Sequence, residues 1–266
     1  MNTLDADPAR QAQPEGSAPL HPMRLLALHG FTGEGADFDA LRALLPAGTA
    51  FTAPDLPGHG ERRSLRRVAD YSLAAHLAII DEAAGHDEDL TLLGYSMGGR
   101  LAMHWALAHP GRWRRLLLVG ASPGLATAAE REERQLADAA LVTFLRTQGL
   151  TAFYRYWHHQ PMLRPLFETA SAVRDEVLAR RALNDPEALA LSLENVGTGS
   201  LPSLWQRLGE LRGAVDLVTG ESDPKFSQLA LRMGEKIPRA RISVVEGAGH
   251  AVHLERPQDL ALLLGA

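Results

Sequence analysis

The stretch from Leu90 to Pro110 reads LTLLGYSMGGRLAMHWALAHP, and its three parts decide the fold. LTLL is a short apolar run of the kind buried strands carry, GRLAMHWALAH has helical spacing, and Gly94-Tyr95-Ser96-Met97-Gly98 lies between them. Glycines on both sides of a serine allow the tight strand-to-helix turn that lifts a hydroxyl above a sheet. The alternative for Ser96 is a hydroxyl that caps the helix after a glycine turn. Arg100 follows within one helical turn, and residues four apart share a helix face, so Arg100 can look into the same cleft as Ser96. An ordinary ester hydrolase has no evident need of that cation, so its presence bears on substrate.

Outward from this turn, short apolar runs alternate with helical patterns: MRLLALHG from Met23, TAFTAPDLPG, RLLLVGA, and later AVDLVTG and ISVVEGAG. Runs this short, ending in Gly or turn residues, predict buried parallel strands with crossover helices, hence an α/β fold with a mostly parallel sheet flanked by helices. Between Ser122 and about Ser200 the rhythm breaks, and AEREERQLADAALVTFLRTQG and SAVRDEVLARRALN show only helical spacing. The expected organisation is therefore a core in two parts, 23–121 and 201–266, with a helical cap over 122–200. Residues 1–22, rich in Pro, Ala and polar side chains and without a signal-peptide apolar stretch, read as a disordered tail.

The 266 residues, 45% hydrophobic and 22% charged, suit one sizeable core. A net charge of −5 argues against a sequence-independent nucleic-acid binder, which needs a basic face to release counterions. Cysteine is absent, which removes disulfides, thiolate chemistry and cysteine metal sites, and fits a reducing, cytoplasmic location. The longest uncharged apolar run, LLLVGASPGLATAA, contains Gly and Pro and falls short of the ~20 residues that cross a bilayer, so no membrane insertion is expected.

A serine becomes a base or nucleophile only when a histidine takes its proton, and that histidine needs a carboxylate to fix its tautomer. In this fold the chain order is serine, acid, histidine. Asp223 follows AVDLVTG and His250 follows ISVVEGAG, each on a loop just past a strand, which nominates Ser96, Asp223 and His250. Glu221 and Asp216 compete for the acid and His253 for the base. Asp216 lies inside an apolar run and His253 inside the following helix, where a strand-end carboxylate and a partly buried histidine are the plainer readings. HGFTG, from His29 to Gly33, follows the first strand, where this fold supplies one oxyanion-hole amide; the residue after the serine supplies the other, which nominates the N–H groups of Phe31 and Met97. DLPGHG, from Asp55 to Gly60, reads as a sharp turn in which His59 is structural.

Together HGFTG, DLPGHG, GYSMGG and GAGHAVHLERP resemble the α/β-hydrolase superfamily from about Met23 onward. SPGLATAAEREERQLAD, WHHQP, GTGSLPSLW and DPKF are similar, more narrowly, to the 2-succinyl-6-hydroxy-2,4-cyclohexadiene-1-carboxylate synthases of menaquinone biosynthesis. That resemblance implies a lyase that eliminates pyruvate from a small molecule bearing three carboxylates, with the triad abstracting a proton and no metal or organic cofactor. It further implies carboxylate binding by Arg100, by Arg134 in the RxxRQ segment and by Arg181, with Tyr95 and Trp157 at the pocket; an arginine fork can grip a carboxylate in bidentate fashion.

Without the resemblance, Arg131 competes with Arg134 and Arg180 with Arg181, and acids outnumber arginines across 122–200, so bulk charge gives no support. Trp157, Tyr154 and Tyr156 read equally as packing aromatics. Lys225, one of only two lysines, falls in DPKF, where substrate contact and a packing or ion-pair role are equally open. His158-His159 and the long tail depart from the family pattern. A serine esterase or carbon-carbon bond hydrolase would carry the same triad. A non-catalytic ligand-binding protein of this fold would be signalled by a missing triad member, and none is missing.

Overall fold

The computed structural model describes residues 23–86, 89–168 and 171–265. The tail expected for residues 1–22 lies outside the described residues. Six strands form one sheet: β1 (Arg24–Leu28), β2 (Ala50–Thr52), β3 (Leu90–Tyr95), β4 (Trp113–Val119), β5 (Ala214–Gly220) and β6 (Ala240–Val245). All neighbours pair in parallel, in the order β2-β1-β3-β4-β5-β6. Each of the six apolar runs read from the sequence contributes one strand.

Period-two alternation splits the sheet between two cores. Leu26, Leu92, Leu116 and Leu217 face a layer made by α2 (Leu73–Ala84), α3 (Met97–Ala108) and α8 (Pro224–Gly234). Leu25, Leu93, Leu117 and Val218 face α1 (Asp39–Arg42), α9 (Val252–Glu255) and α10 (Pro257–Leu264) on the other side. With both faces covered, β3 is buried along its whole length, which is why its sequence is apolar apart from the buried Thr91 and does not alternate. β6 is an edge of the sheet, where Ile242 and Val244 remain exposed.

Between β4 and β5 the described residues form helices and no strand, chiefly α4 (Ala128–Trp157), α5 (Arg164–Glu168), α6 (Ala172–Arg181) and α7 (Pro186–Val196). Thr127 and Glu130 open α4 with a capping box, each side chain satisfying the other's backbone N–H. The helix is broken at Gly149, whose φ of 72° and ψ of −179° are not helical. Val142, Leu145 and Phe153 of α4 pack on Leu189, Ala190 and Leu193 of α7, giving the insertion a small core of its own. Arg146 ties the same two helices, bonding Glu187 and Glu194. Among the described residues, no helix is long and apolar enough to cross a membrane.

The strand order places the site. The chain runs from β1 outward to β2, then returns to β3 on the other side of β1, so the loops after β1 and β3 part in opposite directions. Such a switch point leaves a crevice at the carboxyl ends of the strands. HGFTG follows β1 and Ser96 follows β3, so both open into it.

Candidate active site

Ser96 has φ 51° and ψ −108°, a left-handed conformation that only a constrained turn imposes on a residue with a Cβ. The turn depends on its glycines: a Cβ on Gly98 would collide with the Leu28 carbonyl, and one on Gly94 would lie 2.6 Å from Gly99 Cα. Ser96 makes no side-chain capping bond, so the helix-cap alternative falls. Its hydroxyl instead lies 3.2 Å from His250 Nε2, while His250 Nδ1 stands 2.6 Å from Asp223 Oδ2. Asp223 is the N-cap of α8, and its other oxygen accepts from the Phe226 N–H at 3.3 Å. Both His250 and Asp223 are buried, which strengthens their contact by excluding water.

The competing residues have other partners. Asp216 is held within the sheet by Arg115 of β4 at 2.6 Å and Arg241 of β6 at 3.0 Å. Glu221 accepts the Gly247 N–H. His253 is buried between Tyr95 and Phe38, with no partner for either ring nitrogen among the described residues.

Phe31 and Met97 line the same cavity as Ser96, and neither amide donates to another backbone group among the described residues. The loop carrying Phe31 is shaped by two buried histidines. Leu56 N–H donates to His29 Nε2 at 2.9 Å, and Thr32 N–H donates to His59 Nε2 at 3.1 Å, so the HGFTG and DLPGHG loops hold each other. Burial pulls the pKa of His29 below 6.5 and that of His59 well below it, keeping both rings neutral and able to accept.

A cavity of about 270 Å³ opens above Ser96. Its wall includes Phe31, Met97, Arg100, Arg134, Trp157 and Lys225. Arg100 has a buried, unpartnered Nε and a single long bond from Nη2 to the Val196 carbonyl at 3.4 Å. Burial, and then the neighbouring Arg134, lower its pKa to about 10, which still leaves it cationic at neutral pH. Arg134 Nε is bound at 2.7 Å to Asp138, a buried carboxylate one helical turn on. The cavity wall therefore carries two guanidiniums and a lysine, with the carboxylate that pairs with Arg134 set back from it, an arrangement that attracts anions. Trp157 meets Phe31 edge to face at 5.6 Å, which sets an aromatic wall beside the cations.

Two nominated residues stand elsewhere. Tyr95 and Arg181 are not on the cavity wall. The Tyr95 ring packs behind His250 at 5.2 Å, with burial raising its hydroxyl pKa, and a Cβ on Gly30 would strike that ring. Arg181 is buried with its guanidinium 4.9 Å from the Phe167 ring and with Nε and Nη1 unpartnered. Of their rivals, Arg180 is bound to Asp37 at 2.9 Å, and Arg131 is off the wall. Tyr154 accepts a bond from Asn184, whereas Tyr156 reaches the wall, as do Gln160, Ser192 and Thr198, which sequence reasoning did not single out. Gln160 and Thr198 lie inside the quoted WHHQP and GTGSLPSLW strings; Ser192 carries no signal beyond its place on an amphipathic helix. Among the described residues, no group of three or more His, Asp or Glu side chains is placed to hold a metal.

Comparisons with known proteins give the family and the fold. The family described as Alpha/beta hydrolase family matches residues 25–261. A Bacillus subtilis protein, provisionally named 2-succinyl-6-hydroxy-2,4-cyclohexadiene-1-carboxylate synthase, is 37% identical over 238 residues, covering 88% of this chain and 86% of that protein. The 2-succinyl-6-hydroxy-2,4-cyclohexadiene-1-carboxylate synthase of Serratia proteamaculans is 33% identical, covering 89% of each. Among solved structures, MenH from S. aureus superposes with a TM-score of 0.85 at 28% identity, covering 94% of this chain and 95% of that one.

Proposed function

The chain belongs to the alpha/beta hydrolase family and, within it, to the 2-succinyl-6-hydroxy-2,4-cyclohexadiene-1-carboxylate synthases, and from that premise we propose a mechanism for its site. The protein is an enzyme of menaquinone biosynthesis that eliminates pyruvate from 2-succinyl-5-enolpyruvyl-6-hydroxy-3-cyclohexene-1-carboxylate. Its class is carbon-oxygen lyase. The observation that carries the reading to this chain's own residues is the pairing of the Ser96, His250 and Asp223 series with the guanidiniums of Arg100 and Arg134 on one cavity wall.

Asp223 orients His250, and His250 draws the proton from Ser96. The Ser96 oxygen then removes the ring proton beside the succinyl ketone. Negative charge moves onto the ketone oxygen, where the Phe31 and Met97 amides hold it. As the charge returns, the ring double bond shifts, a second one forms, and the bond from the ring to the enolpyruvyl oxygen breaks. That oxygen leaves with the electron pair and is released as pyruvate after protonation, which leaves the 2,4-diene. No acyl-serine is formed, and no metal or organic cofactor takes part.

The helical insertion is the cap over this chemistry, and Arg100, Arg134 and Lys225 anchor carboxylates remote from the reacting carbon. Anchoring places the proton within reach of Ser96. Arg181, buried against Phe167 with two unpartnered nitrogens, serves a carboxylate that penetrates past the wall. The test is pyruvate release from the enolpyruvyl substrate by wild type and Ser96→Ala, with a short-chain p-nitrophenyl ester in parallel. Pyruvate release that falls about 10³-fold in the variant, with negligible ester cleavage, is expected. Ester turnover without pyruvate would make the protein a hydrolase of the same fold.

A further inference from the structure

Among the described residues, only two that are not glycine have a positive φ: Ser96 and Thr32, at 70°. Thr32 is β-branched, so this conformation is strained and persists only where surrounding groups impose it. Its own hydroxyl makes no bond. The peptide is gripped through its backbone instead, and from two directions. From the core, the Thr32 N–H donates to His59 Nε2 at 3.1 Å, while His59 Nδ1 is bound to the Pro57 carbonyl at 3.0 Å, which fixes the proton on Nδ1 and leaves Nε2 to accept. From the insertion, Asn184 Nδ2 donates to the Thr32 carbonyl at 2.9 Å and also to the Tyr154 hydroxyl of α4 at 2.8 Å. Asn184 is buried and sits between α6 and α7.

The residue immediately before Thr32 is Phe31, whose amide is the proposed oxyanion donor and whose ring meets Phe153 and Trp157 of α4. We propose that His59 and Asn184 are positioning residues that clasp the backbone of Thr32, His59 at its N–H and Asn184 at its carbonyl, between core and insertion, so that seating the insertion completes the oxyanion hole. Substrate drawn to Arg134 and Trp157 on α4 then stabilises the same arrangement that aims the Phe31 amide. Binding at the insertion and charge stabilisation at the core share one residue, Thr32, gripped at both of its peptide groups.

This inference rests on the reading of Phe31 as an oxyanion donor, and its test separates the two. His59→Asn keeps a donor for Pro57 but offers Thr32 no acceptor; His59→Gln extends an acceptor to the Nε2 position; Asn184→Leu keeps the branched shape and removes both donors. Hydrogen exchange at the Thr32 amide reports on the clasp without any substrate. It should quicken about tenfold or more in His59→Asn and Asn184→Leu and stay near wild type in His59→Gln. Pyruvate-release kcat per folded enzyme should fall about ten- to a hundredfold in the first two, with KM held within about twofold, and recover in His59→Gln. Tyr154→Phe, which removes only the hydroxyl that shares the Asn184 amide, should shift both readouts the same way by about two- to fivefold, and serves if a harsher variant does not fold.

Unchanged exchange and kcat alongside a lowered melting temperature would overturn the clasp, as would a raised KM with kcat retained. Wild type that releases no pyruvate would count against the lyase reading, while the exchange rates still decide the clasp.

Discussion

Arg134 reaches the cavity wall with its Nε committed to Asp138, which leaves the outer edge of the guanidinium open to a ligand. Removing Arg134 should therefore damage turnover as well as binding, because its contact places the reacting carbon. In Arg134→Ala, kcat/KM should fall about a hundredfold, shared between kcat and KM. Asp138→Ala should release the guanidinium from its place and raise KM about tenfold, whereas Asp138→Asn, which retains an acceptor, should raise it less. Steady-state pyruvate assays on the three variants check both statements; unchanged constants in Arg134→Ala would remove that residue from the site. Ser96, Asp223 and His250 were legible because the chemistry demands three side-chain types in one chain order beside flanking glycines. Asp138 and Asn184 were not, since each is one polar residue among many and acts through contacts that no local pattern records. Tyr95 and Arg181 were nominated by resemblance, and no sequence periodicity could say that they would stand off the cavity wall.

At the scale of elements, the break in α4 is the most informative feature. The helical pattern read from the sequence stops at Gly149, and the helix leaves helical geometry there, then resumes and carries Phe153 and Trp157 toward Phe31. Resumption was invisible because a glycine signals the end of a helix equally well whether a loop or a second helix comes after it. A Cβ at Gly149 would meet no atom within 4 Å, so any penalty for Gly149→Ala comes from backbone strain alone. Loss of about 1–2 kcal/mol of stability is expected in urea unfolding, with kcat/KM reduced if Trp157 is displaced. Strands were more legible than helices, since burial on both faces forces continuous apolar runs bounded by turns.

For the whole molecule, buried histidines dictate the response to acid. His29, His59, His76 and His253 are fully enclosed, and burial is the leading cause that lowers the pKa of each, to about 4 for His76 and about 3 for His253. The neutral ring is the form the fold accepts. Unfolding restores a pKa near 6.5, so the unfolded chain takes up protons first and stability is lost as pH falls below about 6.5 toward the folded values. His76 alone accounts for about 3 kcal/mol by the time pH reaches 4. Urea midpoints should be flat above pH 7 and fall steadily from pH 6.5 to 4.5; a flat profile throughout would mean these rings are solvated.

Neighbouring strands of the sheet are parallel throughout, and β4 can pair with β5 only after the entire insertion has been looped out between them. A sheet assembled this way forms slowly, and while it forms the outermost strand is left as a naked template for other chains. Even when folded, β6 shows Ile242 and Val244 to solvent at that rim. Crowding of newly made chains therefore penalises this topology through β6 first, and a charge there acts as a gatekeeper. Val244→Lys should raise the yield of refolding at micromolar concentration and suppress light scattering, while kcat/KM stays at the wild-type value.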